Sequence, residues 1–182
     1  MLGINKWIFE LVCRWYVFIF LNYYGLGKIA GMQFYRKGKL PDDVAELTLG
    51  SADAFSLAWT FMGYSFYYIL FVGLLQIVGA WLLLWNKTKF FGIFILLPIM
   101  ANIIIFDIIF LEKKGATVNA TIYFFMLLGI LWINKSQIAK VLKVITEVPI
   151  GKKINAKTIL KVLAFMAIVF VIDQLLVGLV GR

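Results

Sequence analysis

The sequence predicts an all-α fold, a polytopic membrane helix bundle with about five spans. Three observations carry that expectation. Hydrophobic residues make up 63% of the 182, and mean hydropathy is +0.95, whereas a soluble domain is only about 45–50% apolar. A core this small cannot hide the surplus, so lipid must solvate much of it. The apolar residues also come in runs of about 20, the length that crosses about 30 Å of hydrocarbon at 1.5 Å per residue. Finally, short polar and mostly basic segments, such as Asn86-Lys87-Thr88-Lys89 and Glu112-Lys113-Lys114-Gly115, separate the runs.

The first span is read at residues 7–29. Glu10 and Arg14 stand four apart at its entry, in the favourable order for a helix ion pair. Gly27 and Gly31 at its exit form a small-xxx-small pair that would admit a neighbouring helix, or a second copy of the chain. The run is too long for a signal-peptide core and lacks a small-residue cleavage site, so it is expected to remain as an anchor. A connector follows with Arg36, Lys37, Lys39, Asp42, Asp43 and Glu46, where Pro41 would open a short helix. The apolar stretch 54–85 is too long for one untilted span and divides at Gly63-Tyr64-Ser65. Residues 52–62 become a short interfacial or re-entrant helix capped by Ser51, and 66–85 the second span, capped by Ser65.

The third span is 90–111, bent by Pro98, and the fourth is 116–133. Between 134 and 158 the chain turns basic. Ile138, Val141, Leu142 and Ile145 fall on one helical stripe with Lys140 and Lys143 off it, the pattern of a surface-lying amphipathic helix near 135–146, which Pro149-Ile150-Gly151 would end. The fifth span is 159–180. The organisation expected is a core over 1–145 plus an additional C-terminal helix over 158–182.

Net charge is +9. In such a chain the Lys and Arg belong to loops and helix ends facing anionic headgroups, and nucleic acid is not an expected partner. Eleven of the 18 Lys and Arg fall on the N-terminal side of the spans. The positive-inside rule therefore puts the N-terminus in the cytoplasm, in a plasma membrane. With no His and one cysteine, Cys13, His-ligated haem, His-based zinc sites, Ser-His-Asp triads and an intrachain Cys pair are excluded. No metal site is expected, and no catalytic residue can be named. Cys13 reads as a small buried apolar side chain.

Polar side chains inside spans are expensive and therefore functional candidates. They are Asn22, Gln76, Asn102, Asp107, Asp173 and Gln174, with Lys28 closing span one. At 1.5 Å per residue, Asp107 lies about 6 Å and Asp173 about 10 Å from one face, and Asn22, Asn102 and Gln76 roughly 10–16 Å from the same face. Lys28 sits at a level where it can pair with either aspartate. One reading is a polar pocket lined by Asn22, Lys28, Gln76, Asn102 and Asp107. The other is interhelical hydrogen-bond glue, with Lys28 snorkelling to headgroups. The aromatics Trp59, Tyr64, Tyr67, Tyr68, Trp81 and Trp85 fit an interfacial belt, or a stacking surface for a planar ligand such as a quinone.

Four runs appear in order. They are Tyr24-Gly25-Leu26-Gly27-Lys28-Ile29 with Gln33-Phe34; Trp59-Thr60-Phe61-Met62-Gly63-Tyr64-Ser65 with Tyr68; Gly73-Leu74-Leu75-Gln76-Ile77-Val78-Gly79 with Leu82-Leu83-Leu84, Lys87-Thr88 and Gly92; and Met100 with Asn102 and Asp107. Over about 8–145 they resemble successive segments of the DoxX-like membrane proteins. The resemblance implies a four-helix membrane core and a link to quinone-coupled redox chemistry, because DoxX-type proteins resemble the membrane subunit of thiosulfate:quinone oxidoreductase. It adds Gln33 to the candidate ligand cluster. Gln76 stands where the family has an acid, which weakens a proton-transfer role there. Only Lys87, after Asn86, remains of the paired basic turn, and the fifth span lies outside the match. The leading expectation is a quinone-binding or scaffold component of a redox system with an oxidoreductase partner. A structural protein docking a partner or lipid comes second, a binder or transporter of a small amphipathic solute third, and an independent enzyme is least expected.

Overall fold

In the computed structural model, which describes residues 5–111, 114–147 and 155–180, the described residues form eight helices joined by turns, with no strand. Helix α1 (Lys6–Ala30) starts at Asn5, whose side chain accepts from the Trp7 amide. It stops at Gly31, which takes φ +87°. There the Met32 amide bonds back to the Gly27 carbonyl, the left-handed cap that glycine supplies without steric cost. The Arg36 guanidinium closes the same end, donating to the Lys28 and Ile29 carbonyls.

A one-turn helix α2 (Asp42–Ala45) and then α3 (Ala54–Gly63) follow. Asp53 caps α3 by accepting from the Ser56 amide, so the cap lies two residues beyond the expected Ser51, which instead turns back onto Thr48. Pro41 precedes α2 rather than opening it. Ser65 caps α4 (Phe66–Leu84) as expected. Helices α5 (Lys89–Phe110) and α6 (Gly115–Ile133) match the third and fourth spans within a residue, and α7 (Lys135–Thr146) and α8 (Ala156–Val180) complete the chain. The stop at Pro149-Ile150-Gly151 lies outside the described residues, as does Lys113.

Among the described residues, four helices, α4, α5, α6 and α8, are long and apolar enough to cross a membrane, and the chain is a multi-pass membrane protein. Helix α1 has the length, with 25 residues, but carries Lys6, Glu10, Arg14 and Lys28. The chain divides into two units, Met1–Ala139 and Lys140–Arg182. In the first, α1, α4, α5 and α6 form a closed ring in which each helix packs against two others, and α3 packs on α4 and α5. The core is an inward stripe at three- and four-residue spacing: Cys13, Val17 and Leu21 face Ala80, Leu83, Ile93, Leu96, Met100, Tyr123, Leu127 and Ile130. In the second unit, the described side chains of α8 are exposed.

Small residues let the ring close. A Cβ on Gly25 would lie 3.0 Å from the Gly73 carbonyl oxygen, and one on Gly92 only 2.6 Å from that of Gly79. The expected Gly27/Gly31 ridge does not form, because Gly31 has already left the helix and Gly27 faces open space apart from Met32. Gly25 and Gly73 provide the close contact instead.

Candidate functional site

Helices α4 and α5 touch backbone to backbone near their shared turn, at Gly79 and Gly92. Away from that turn a cavity of about 330 Å³ opens between them, walled by α1, α3 and α6. Its volume falls within the range of small-molecule sites. Five of the six sequence candidates line it: Lys28, Gln33, Gln76, Asn102 and Asp107. Asn22 does not. Its amide donates to the Phe18 carbonyl and accepts from the Trp81 indole, so it ties α1 to α4 on another face. For Asn22 the geometry is that of interhelical glue.

The five behave differently. Lys28 and Asp107 are both buried, yet they form no direct ion pair with each other. Gln76 is 1% exposed, and its Oε1 has no hydrogen-bond partner among the described residues; neither has the buried Gln33 Oε1. Leaving such a group unpaired costs about 1–3 kcal/mol, so a donor from outside the chain belongs beside it. Asp173, the other possible partner of Lys28, lies on α8 in the second unit, where it accepts from its neighbour Gln174.

Most of the wall is apolar. Trp59 of α3, Phe34, Tyr68, Phe71 and Phe106 supply aromatic surface, while Tyr64, Tyr67, Trp81 and Trp85 do not line the cavity and are exposed. Phe34 adopts φ +69°, an unfavourable backbone for a bulky residue. The Tyr35 amide bonds to the Trp59 carbonyl, and the Phe34 ring packs on Trp59 at 5.2 Å, which holds the loop in place. Strain maintained this way is common where a wall must stand in one position. Gly63 is part of the same junction: a Cβ there would sit 1.8 Å from the Tyr35 carbonyl oxygen.

The opposite end of the ring holds a polar cluster that the sequence reading met only as a local pair. Glu10 accepts from Lys89 at 2.8 Å, Asn134 at 2.8 Å and Arg14 at 3.4 Å. Arg14 also reaches Asn86 and the last carbonyls of α4, at Leu83 and Leu84. Thus α1, the α4–α5 turn and the end of α6 are clamped together, with the donors and acceptors of the cluster matched. A usable signal was present, since Asn86, Lys89 and Asn134 each stand at the edge of a span on the side where Glu10 enters.

The uncharacterized protein YwoB of Bacillus subtilis (strain 168) is 35% identical over 121 residues, covering 65% of this chain and 73% of YwoB. The chain belongs to the YwoB family. No protein-family model matches it, and no solved structure does.

Proposed function

We propose that the cavity holds the head group of a quinone-type redox lipid, making the protein a quinone-binding or scaffold component of a membrane redox system. One observation carries the reading: an ammonium, a carboxylate and unpaired amides share an otherwise apolar, aromatic-walled space. A quinone ring has apolar faces for Trp59, Phe34 and Tyr68, and carbonyls that accept from Lys28 and the amide NH₂ groups. Its reduced form has hydroxyls that donate to Asp107 and to the Gln76 oxygen. Oxidising that form releases two electrons and two protons. With no His and one Cys in the chain, the electrons would pass to a partner oxidoreductase. The DoxX-like resemblance supports the same assignment, and with it the proposal places the protein in the plasma membrane, with α1 as a fifth span and the N-terminus in the cytoplasm.

Native mass spectrometry with lipid extraction after mild solubilisation tests this. A bound quinone is expected, reduced about tenfold or more in Gln76→Leu and Asp107→Asn, the loss of one hydrogen-bonded group being worth about 1.4 kcal/mol or more. Retained helicity by circular dichroism would show that the variants fold. Phospholipid alone in the wild-type protein would end the quinone reading. Helix α7 favours a second reading, because Val141, Leu142 and Ile145 expose an apolar stripe beside Lys140 and Lys143. Such a face suits docking on anionic lipid or on a partner. Unchanged membrane and partner recovery after deleting 136–145 would remove it.

A further inference from the structure

The cavity has an exposed and mostly apolar edge. Tyr68 and Phe71 of α4 are 46% and 59% exposed, and Pro98 and Asn102 of α5 are exposed as well, yet all four line the cavity. The seam between α4 and α5 is therefore open along this stretch. Its depth decides what it opens to. Counting from the end of α5 at Phe110, Asn102 is about 12 Å and Pro98 about 18 Å along the helix. That is mid-span on α5, and on α4 Phe71 lies about 7–8 Å in from Phe66, so this stretch of both helices runs through hydrocarbon.

The charged groups sit at the other end of the same space. Lys28 is two residues from the end of α1, and Asp107 three from the end of α5, about 3–5 Å in. Asn119 and Ala116, also exposed and lining the cavity, lie in the first turns of α6 at that level. The space thus runs from a charged head region near the bundle end to an apolar mouth in mid-membrane. Asn102 marks the mouth. An exposed amide among lipid tails is unfavourable unless something pairs with it. Pro98, one turn earlier, removes an N–H and frees the Phe94 carbonyl, which loosens α5 where the seam parts.

We infer that the cavity is loaded sideways from the bilayer, through the α4–α5 seam, by an amphiphile whose head rests between Lys28 and Asp107 and whose apolar tail leaves past Asn102 and Phe71. This rests on the reading that the cavity binds a ligand and names the class and route. A mouth in hydrocarbon favours a lipid-borne amphiphile over a water-soluble solute.

The test uses the full chain with Cys13→Ala, spin-labelled at Asn102→Cys or Phe71→Cys, in phosphatidylethanolamine–phosphatidylglycerol liposomes. Phe94→Cys, exposed on α5 but outside the cavity, is the control. Collision with oxygen reports hydrocarbon contact, and collision with a water-soluble nickel chelate reports water. The label at 102 is expected to collide with oxygen several-fold more than with nickel. A long-tailed quinone should cut that collision several-fold at 102 and 71 but not at 94, and the tail-less quinone should not. Dominant nickel collision would overturn the inference, as would low collision with both reagents, which means another element covers the seam. Equal protection by the tail-less quinone overturns the side entrance while leaving quinone binding intact. Protection by a long-chain alkylphenol but by no quinone sustains the side entrance and ends the quinone reading. Protection by no tailed compound overturns the side entrance.

Discussion

Glu10→Gln removes the only carboxylate from the clamp that joins three helices, and its cost can be worked from the contacts. The glutamate is the shared acceptor of Lys89, Arg14 and Asn134, and Arg14 and Lys89 are only 6% and 7% exposed. Two expectations compete. Neutral interhelical hydrogen bonds in membrane proteins average about 0.6 kcal/mol. Removing one partner from a buried ion pair costs about 3–5 kcal/mol, because the other charge is stranded. Glutamine keeps the shape and one acceptor oxygen but strands two cations, so the loss should be about 3 kcal/mol. Glu147→Gln is the internal standard. Its pair with Lys143, at 3.3 Å, is 71% and 61% exposed, and its loss should fall within about 0.5 kcal/mol. Reversible unfolding by SDS in mixed micelles, followed by far-UV circular dichroism, reads both. Adding Lys89→Met to Glu10→Gln should recover about 1 kcal/mol or more, since one stranded charge goes with it. If Glu10→Gln unfolds like Glu147→Gln, the clamp is a surface feature and the reasoning fails.

Two further predictions use the same titration or its companion. Gly92→Ala should cost about 1–3 kcal/mol, because the new Cβ meets backbone at 2.6 Å and 3.0 Å and the α4–α5 contact must widen. Gly178→Ala, with nothing within 4 Å, should instead stabilise α8 by about 0.5–1 kcal/mol, and equal effects at the two sites would contradict both. Hydrogen bonds from Ser56 hold the exposed Asp53 carboxyl below its ordinary range, so its contribution to α3 is full above the unfolded value of about 3.9. It is lost as pH falls through the lower folded value. The protection factors of the Ser56 and Leu57 amides, their exchange measured against the intrinsic rate at each pH, should fall on that descent and become independent of pH in Asp53→Asn; protection that survives acidification would refute the cap.

The helices were legible because lipid imposes a minimum length on apolar runs, so α4, α5 and α6 could be placed within a residue of their observed ends. What escaped was set by choices between equivalent chemistries a few residues apart. Ser51 and Asp53 are both good caps, but the Ser51 hydroxyl turns back onto the Thr48 carbonyl and leaves the aspartate to cap α3. Gly27/Gly31 and Gly25/Gly73 are both small-residue contacts, but the left-handed turn at Gly31 takes the first pair out of the helix. Rotation about a helix axis is equally hidden. Asn22 and Lys28 are six residues apart, more than a turn and a half, so they point to different sides of α1. Depth along the helix was countable, but facing was not, and Asn22 went to Trp81 while Lys28 went to the cavity.

The two ends of the ring use buried polar residues in opposite ways, and the contrast bears on which end is functional. At the clamp, Glu10, Arg14, Lys89, Asn86 and Asn134 meet one another's needs, so that end gains nothing from an outside molecule. At the cavity, Lys28 and Asp107 stand in the same space without touching as an ion pair, and Gln76 and Gln33 retain oxygens that no group among the described residues satisfies. A fold that needed these residues only for cohesion would close them on each other, as it does the clamp. Gly25, Gly73, Gly79 and Gly92 hold the backbones together on either side, so the gap is not a failure of packing in the ring as a whole. The strained Phe34 and the close Gly63–Tyr35 junction maintain its wall from the α3 side. Stability is invested at the clamp and in the glycine contacts, which leaves the polar groups of the cavity available to something that enters it.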